Sequence, residues 1–266
     1  MWSKNKLKLV RALRQKKQRD AEGAFLAEGH KVVGDLAQRY ACRLLAATPD
    51  YLAAHTLPAG LPAPDVVSDR ELGQASALAT PHGVLAVFDK PAATPAVAPL
   101  PVAGALVLAL DGVQDPGNLG TIIRLADWFG VERVVCSPDT ADAFAPKVVQ
   151  ATMGALARVG VCYTPLPEWL ADAVAAGTAV YGTFMDGDNL YRAPLSGSGV
   201  IVMGNEGNGI SAAVAAAVGH RLHIPSFPPG RPTVESLNVA MATAITLAEF
   251  RRRAAGPTFS PQSMPS

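Results

Sequence analysis

Near Ala105 the rhythm of hydrophobic and polar positions changes, and short apolar runs begin to alternate with amphipathic stretches. Strands are predicted at Ala105–Leu110, Arg133–Cys136, Arg158–Tyr163, Val180–Phe184, Val200–Met203 and Arg221–Ile224. Helices are predicted between and after them at Leu119–Phe129, Pro146–Ala155, Pro167–Ala176, Ser211–Val218 and Val234–Arg253. Strands separated by single helices imply parallel βαβ units, an α/β fold with helices on both faces of the sheet. Ligands of such sheets bind beyond the carboxyl ends of the strands.

The first part of the chain has a different pattern. Residues 7–40 read as largely helical, with Leu7, Val10, Leu13 and Arg14 setting a face, and the run Phe25–Gly29 reads as a short strand turning into a helix. Arg43–Thr48 and Val84–Phe88 are further strand candidates, which makes this a smaller α/β unit. The Pro- and Ala-rich stretch Lys90–Gly104 is too rich in proline for a helix or a central strand and reads as a semi-rigid linker. The expected organisation is therefore an N-terminal domain over 1–89, a linker over 90–104, a second domain over 105–254 and a Pro/Ser-rich disordered tail over 255–266.

The 266 residues are 49% hydrophobic, enough to bury a core, and mean hydropathy is +0.20. Net charge is only +1, yet residues 1–19 hold eight of the 23 Lys and Arg and no acid. Lys4, Lys6, Lys8, Arg11, Arg14, Lys16, Lys17 and Arg19 have the density expected of a phosphate-binding footprint, or equally of a solvated helical tail. Cys42, Cys136 and Cys162 are widely spaced, without a CxxC or Cys/His pairing, so no zinc site or disulfide framework is expected. No apolar run is long enough for a membrane span and no signal-peptide core is visible, so a cytoplasmic location is expected.

Candidate chemistry is concentrated in three segments. These are Asp111–Arg124 (DGVQDPGNLGTIIR), Gly204–Ser211 (GNEGNGIS) and Ile224–Ala240 (IPSFPPGRPTVESLNVA), each joining a strand-like run to a Gly- or Asn-rich loop. None has the GxGxxG of a dinucleotide site or the GxxxxGK[ST] of a nucleoside triphosphate site. Taken singly, each loop reads as an ordinary βα turn.

In their order and spacing, the three segments resemble the motifs of the SpoU (TrmH-type) branch of the SPOUT RNA methyltransferases. The resemblance implies a parallel-sheet domain with a C-terminal trefoil knot. It also implies S-adenosylmethionine as cofactor, transfer of its methyl group to a ribose 2′-hydroxyl, structured RNA as partner (ribosomal favoured over transfer RNA) and a homodimer formed through the knot. Cofactor contacts carried over by the resemblance fall on Gly204, Ile224 and Leu237, and the surrounding loop adds Asn205, Gly207 and Gly209, where glycine permits close backbone approach. The resemblance places Asn118 and Arg124 at the reaction centre, with Ser236 and Asn238 in the active-site loop. Arg124 is better suited to bind phosphate and stabilise a developing alkoxide than to act as a base, because guanidinium keeps its proton. Glu206 is the only acid of the second loop and reads as an organiser or helix cap, with proton acceptor as the lesser option. Ser236 suits a helix N-cap.

The stretch between Ile224 and Ser236 holds four prolines and looks longer than the shorter family form, and its Arg231 is a candidate contact to RNA or a partner subunit. The N-terminal segment also resembles the family's accessory RNA-binding domain, of ribosomal-protein-like α/β fold, through Lys17, Arg19, Gly23, Phe25, Glu28 and Gly29. Two other functions remain open from the sequence: a non-catalytic RNA-binding or ribosome-assembly protein on the same fold, and methylation of a base. No metal is expected.

Overall fold

The computed structural model describes residues 2–91 and 104–254. Most of the expected linker and all of the expected tail lie outside the described residues. The chain packs as two compact units. The first draws on residues 2–91, 115–124 and 141–161, and the second on 104–114, 125–140 and 162–254.

In the first unit the order is α1 (Lys4–Ala12), α2 (Lys16–Glu22), β1 (Ala24–Glu28), α3 (His30–Leu36), β2 (Cys42–Ala47), α4 (Pro49–Ala54), β3 (Asp65–Val66), α5 (Asp69–Ala75) and β4 (Val84–Asp89). The strands form a sheet in the order β1-β4-β2-β3, antiparallel except where β2 pairs with β3. Gly23 ends α2 in the left-handed conformation (φ +57°), which lets the chain turn straight into β1. One face of the sheet buries Leu26, Leu44, Leu85 and Val87 against Val10, Leu13 and Leu72. A separate aromatic cluster forms around Phe25, whose ring lies 5.2 Å from Tyr40 and 4.9 Å from Phe144. At α5 the Ser68 hydroxyl accepts from the Glu71 amide while the Glu71 carboxylate accepts from the amides of Ser68 and Trp2. These amides hold the Glu71 carboxyl down to about 2.

The remaining elements are β5 (Leu106–Leu110), α6 (Pro116–Trp128), β6 (Arg133–Cys136), α7 (Pro146–Ala151), β7 (Gly160–Tyr163), α8 (Leu166–Ala175), β8 (Val180–Asn189), β9 (Gly199–Met203), α9 (Ala212–Ala215), β10 (His220–His223) and α10 (Val239–Ala254). The sheet has six strands in the order β10-β8-β9-β5-β6-β7, and the pairings β10–β8, β8–β9, β9–β5 and β5–β6 are parallel. Its central strands β5 and β9 are buried at every position, as a strand covered on both faces must be. Val107, Val135, Val200 and Val202 pack with Leu166, Trp169 and Leu170 of α8. Within the first unit, Gly120 lets α6 approach α7. A Cβ there would sit 2.4 Å from the Ala151 Cβ.

The α/β class and the parallel sheet agree with the pattern in the sequence, and two local expectations are corrected. The last helix begins at Val239 instead of Val234. Its cap is Asn238, whose side-chain oxygen accepts from the amides of Ala240 (3.0 Å) and Met241 (3.3 Å), so Ser236 is not the N-cap. Asn238 is two residues closer to the first turn that needs an acceptor, directly before Val239. The three thiols are free. Burial pushes Cys136 and Cys162 up, and pushes Cys42 up to about 11, which suits inert packing residues.

Candidate functional site

The second motif loop is a self-closed turn at the end of β9. The amide of Asn205 donates to the Gly209 carbonyl and the Gly209 amide donates back to Asn205, both at 2.9 Å. Inside that ring the Asn205 side-chain oxygen accepts from the amides of Gly207 (2.9 Å) and Asn208 (3.0 Å). Gly204 makes the closure possible, since a Cβ there would lie 2.3 Å from the Gly209 carbonyl carbon and the Ile210 nitrogen. Gly209 has φ +69° and open space around it.

The loop is tied to the end of β5 by two bonds that the sequence did not suggest. The Asn205 side-chain amide donates to the Gly112 carbonyl at 2.7 Å. Asp111, only 8% exposed, accepts from the Ser211 amide at 2.7 Å through Oδ2. The Ser211 amide, at the start of α9, therefore goes to Asp111. Gly112 in turn donates to the Ser137 hydroxyl at 2.8 Å, and Ser137 donates to Asp139 at 2.5 Å. A carboxylate immediately after an apolar strand, as in Leu110-Asp111, is the signal that could have singled it out.

Together with the middle of β8 and the end of β10, this loop borders a cavity of about 670 Å³, within the range of small-molecule sites. Its lining includes Gly204, Asn205, Glu206, Gly207, Gly209, Ile224, Ser236 and Leu237, so every expected cofactor position of the second and third segments is there. The chain from 234 to 237 lines the cavity as non-helical backbone. Thr183, Phe184, Met185, Met203 and His223 also line it and were not expected. Phe184 is backed by the Arg221 guanidinium, 3.5 Å from the ring centroid, and Arg221 pairs with Asp186 at 2.5 Å. The described lining residues carry two acids, Glu206 and Glu235, and no Lys or Arg.

Asn118 and Arg124 occupy the part of α6 that belongs to the first unit, whereas Glu206, Ser236 and Asn238 belong to the second. Asn118 is half-buried, and its amide donates to Asp115 Oδ1 at 2.8 Å, closing the first turn of α6. Arg124 is exposed, while its neighbours Ile122 and Ile123 are fully buried.

The basic N-terminus divides in two. Lys4, Lys8 and Lys17 are exposed. Lys6 pairs with Asp65 at 2.6 Å, and Lys16 pairs with Asp20 at 2.9 Å. Arg11 donates to the Gln74 carbonyl at 2.8 Å, and Arg14 donates to the carbonyls of Ala75 and Ser76. Arg19 contradicts the expected phosphate role. It is 2% exposed, pairs with Asp142 at 2.6 Å and donates to the carbonyls of Leu13 and Arg14. A guanidinium with four hydrogen bonds inside the fold, of the five its donors allow, has little left for RNA. No helix among the described residues is long and apolar enough to cross a membrane.

Comparison with known proteins agrees with this architecture. Residues 105–248 match the model of the SpoU rRNA Methylase family, and residues 4–86 match the MRM3-like substrate binding domain. Over 146 residues the chain is 40% identical to the 23S rRNA (guanosine(2553)-2'-O)-methyltransferase RlmP of Bacillus subtilis, a match covering 54% of this chain and 57% of that protein. A TrmH-family protein from Porphyromonas gingivalis is 46% identical with a TM-score of 0.85, covering 95% of this chain and 99% of that one. The AdoMet-bound rRNA methyltransferase of Sinorhizobium meliloti is 32% identical with a TM-score of 0.81, covering 95% and 97%.

Proposed function

The chain belongs to the SpoU rRNA methylase family, and from that premise we propose that it methylates a ribose 2′-hydroxyl of structured RNA, ribosomal in preference to transfer RNA, using S-adenosylmethionine. The observation that carries the proposal is the cavity of the second unit, with its glycine-rich wall, two glutamates and no Lys or Arg among the described lining residues. Backbone amides and carbonyls suit an adenine edge, and the charge balance suits a sulfonium cation. The names of the relatives support ribosomal RNA, since RlmP acts on a guanosine 2′-O in 23S rRNA.

When bound, S-adenosylmethionine supplies an activated methyl group. Gly204, Asn205, Gly207 and Gly209 would hold its adenosine part through backbone, and Ile224 and Leu237 would pack on it. Asn118 positions the ribose hydroxyl. Arg124 binds the nucleotide phosphate and stabilises the alkoxide as it develops, since a guanidinium already holds its proton and cannot take another. Glu206, Ser236 and Asn238 order the loops, and the proton leaves to the phosphate, to water or to a neighbouring group. Lys4, Lys8 and Lys17 add phosphate contacts.

The further expectations are a C-terminal trefoil knot, a homodimer through the knot region and a cytoplasmic location. Exposed Val234, Leu237 and Met241 support an apolar interface. The test is incubation with S-adenosylmethionine and ribosomal RNA, followed by digestion and nucleoside mass spectrometry. A 2′-O-methylated nucleoside is expected, with Arg124→Ala reducing it about 100- to 1,000-fold while cofactor binding persists. A base-methylated product would refute the ribose assignment, and cofactor binding without any product would favour a non-catalytic RNA-binding protein.

A further inference from the structure

Methyl transfer leaves unused an aromatic cluster on the first unit. Two of the chain's five histidines, His30 and His55, border Tyr51. Tyr51 is 6% exposed, and Gly83 (φ +75°) gives its side chain room, since a Cβ there would lie 3.0 Å from the Tyr51 Cβ. His55 stacks on Tyr51 with centroids 4.5 Å apart and planes within 15°. Its Nδ1 lies 3.2 Å from the Tyr51 carbonyl, which fixes the imidazole in that orientation. His30 flanks His55 at 4.7 Å and hydrogen-bonds the Tyr51 hydroxyl through Nδ1 at 2.7 Å. His82 approaches Gly29, next to His30.

The layering is informative. The lower ring of the stack is buried and the upper one, His55, is exposed together with His30 and His82. A core histidine would be enclosed. A metal site would gather three ligands, and among the described residues no group of His, Cys, Asp or Glu could hold a metal ion. What remains is a held ring that is itself exposed, with the chemistry to take one more planar group. Proteins read unpaired RNA bases by stacking them on such rings, because every base has a π face.

We propose that the Tyr51–His55 stack, flanked by His30, is a docking site for an unpaired nucleobase of the RNA substrate. All three residues lie within the segment that matches a substrate binding domain. The inference rests on the reading that the protein acts on RNA. The base adds the next layer on His55, a contact that carries neither methyl chemistry nor phosphate charge.

The experiment uses the full chain and two RNA probes, a hairpin with 2-aminopurine in its loop and the same stem closed as a blunt duplex. Wild-type protein should bind the hairpin more tightly and quench its fluorescence. His55→Ala should lose about 5- to 100-fold in hairpin affinity, the range of one base stacked on an aromatic ring, and lose the quenching. His55→Phe should restore both. The salt dependence of binding should not change, because no phosphate contact is removed. Hairpin affinity and quenching unchanged in His55→Ala would overturn the site, as would equal wild-type affinity for both probes or a reduced salt dependence in the variant. If the wild-type protein binds neither probe, it is the RNA reading itself that fails.

Discussion

The Asp111 carboxylate accepts the Ser211 amide at 2.7 Å, a bond between residues one hundred positions apart. It fixes the start of α9, and hence the far end of the glycine loop, to the carboxyl end of β5. Asp111→Ala should leave a donor unmet and cost about 1–3 kcal/mol of stability, with weaker S-adenosylmethionine binding. Asp111→Asn keeps an acceptor and should do less. Thermal unfolding and calorimetry of both variants would show it, and equal effects would argue against the bond.

Two glycines five positions apart should respond differently to alanine. At Gly204 the added carbon meets backbone at 2.3 Å, so the Asn205–Gly209 ring must open. Cofactor affinity should fall more than about tenfold, as a shift of only 1.4 kcal/mol is tenfold. At Gly209 the new carbon meets open space, and only the strain of a positive φ remains, about 1–2 kcal/mol. Titration of the two variants with S-adenosylmethionine should rank them in that order.

The neighbours Ser236 and Asn238 should separate binding from stability. Asn238→Ala removes the acceptor for two amides at the start of α10 and should cost about 1 kcal/mol in urea unfolding. Ser236 is exposed on the cavity wall, so Ser236→Ala should leave the unfolding midpoint nearly unchanged and act on cofactor binding.

Glu249 sets part of the acid limit. Its carboxylate is 6% exposed and accepts from Arg252 twice and from Arg253, each at 2.8 Å, and these bonds hold its carboxyl at about 2. A carboxyl depressed in the folded state stabilises the fold above its ordinary value, near 4.5, and that contribution is lost as pH falls toward about 2. Melting temperature should therefore fall across that window less steeply in Glu249→Gln than in the wild type. Parallel curves would mean the carboxylate has no such role.

The alternation after Ala105 made the parallel sheet legible, because a doubly covered strand has to be a short, wholly apolar run such as Leu106–Leu110. The glycine loop was legible through its composition. The cavity wall from β8 was not, because Phe184 and Met185 look like any strand residues until the strand's neighbours are known. Arg19 misled for a related reason. Its burial depends on Asp142, which no local pattern around residue 19 announces. Ser236 and Asn238 are both good caps, and only the amides of Ala240 and Met241 distinguish them.

The company Arg19 keeps bears on how this chain can be divided. Its carboxylate partner Asp142, the Phe144 ring beside Phe25 and the Leu156 carbonyl that accepts from the Tyr40 hydroxyl all come from residues after the Pro-rich stretch. A fragment ending at that stretch would leave a buried guanidinium without its counter-charge and an aromatic cluster without one wall. The first ninety residues are thus half of a structural contract whose other signatory lies fifty positions beyond the obvious place to cut.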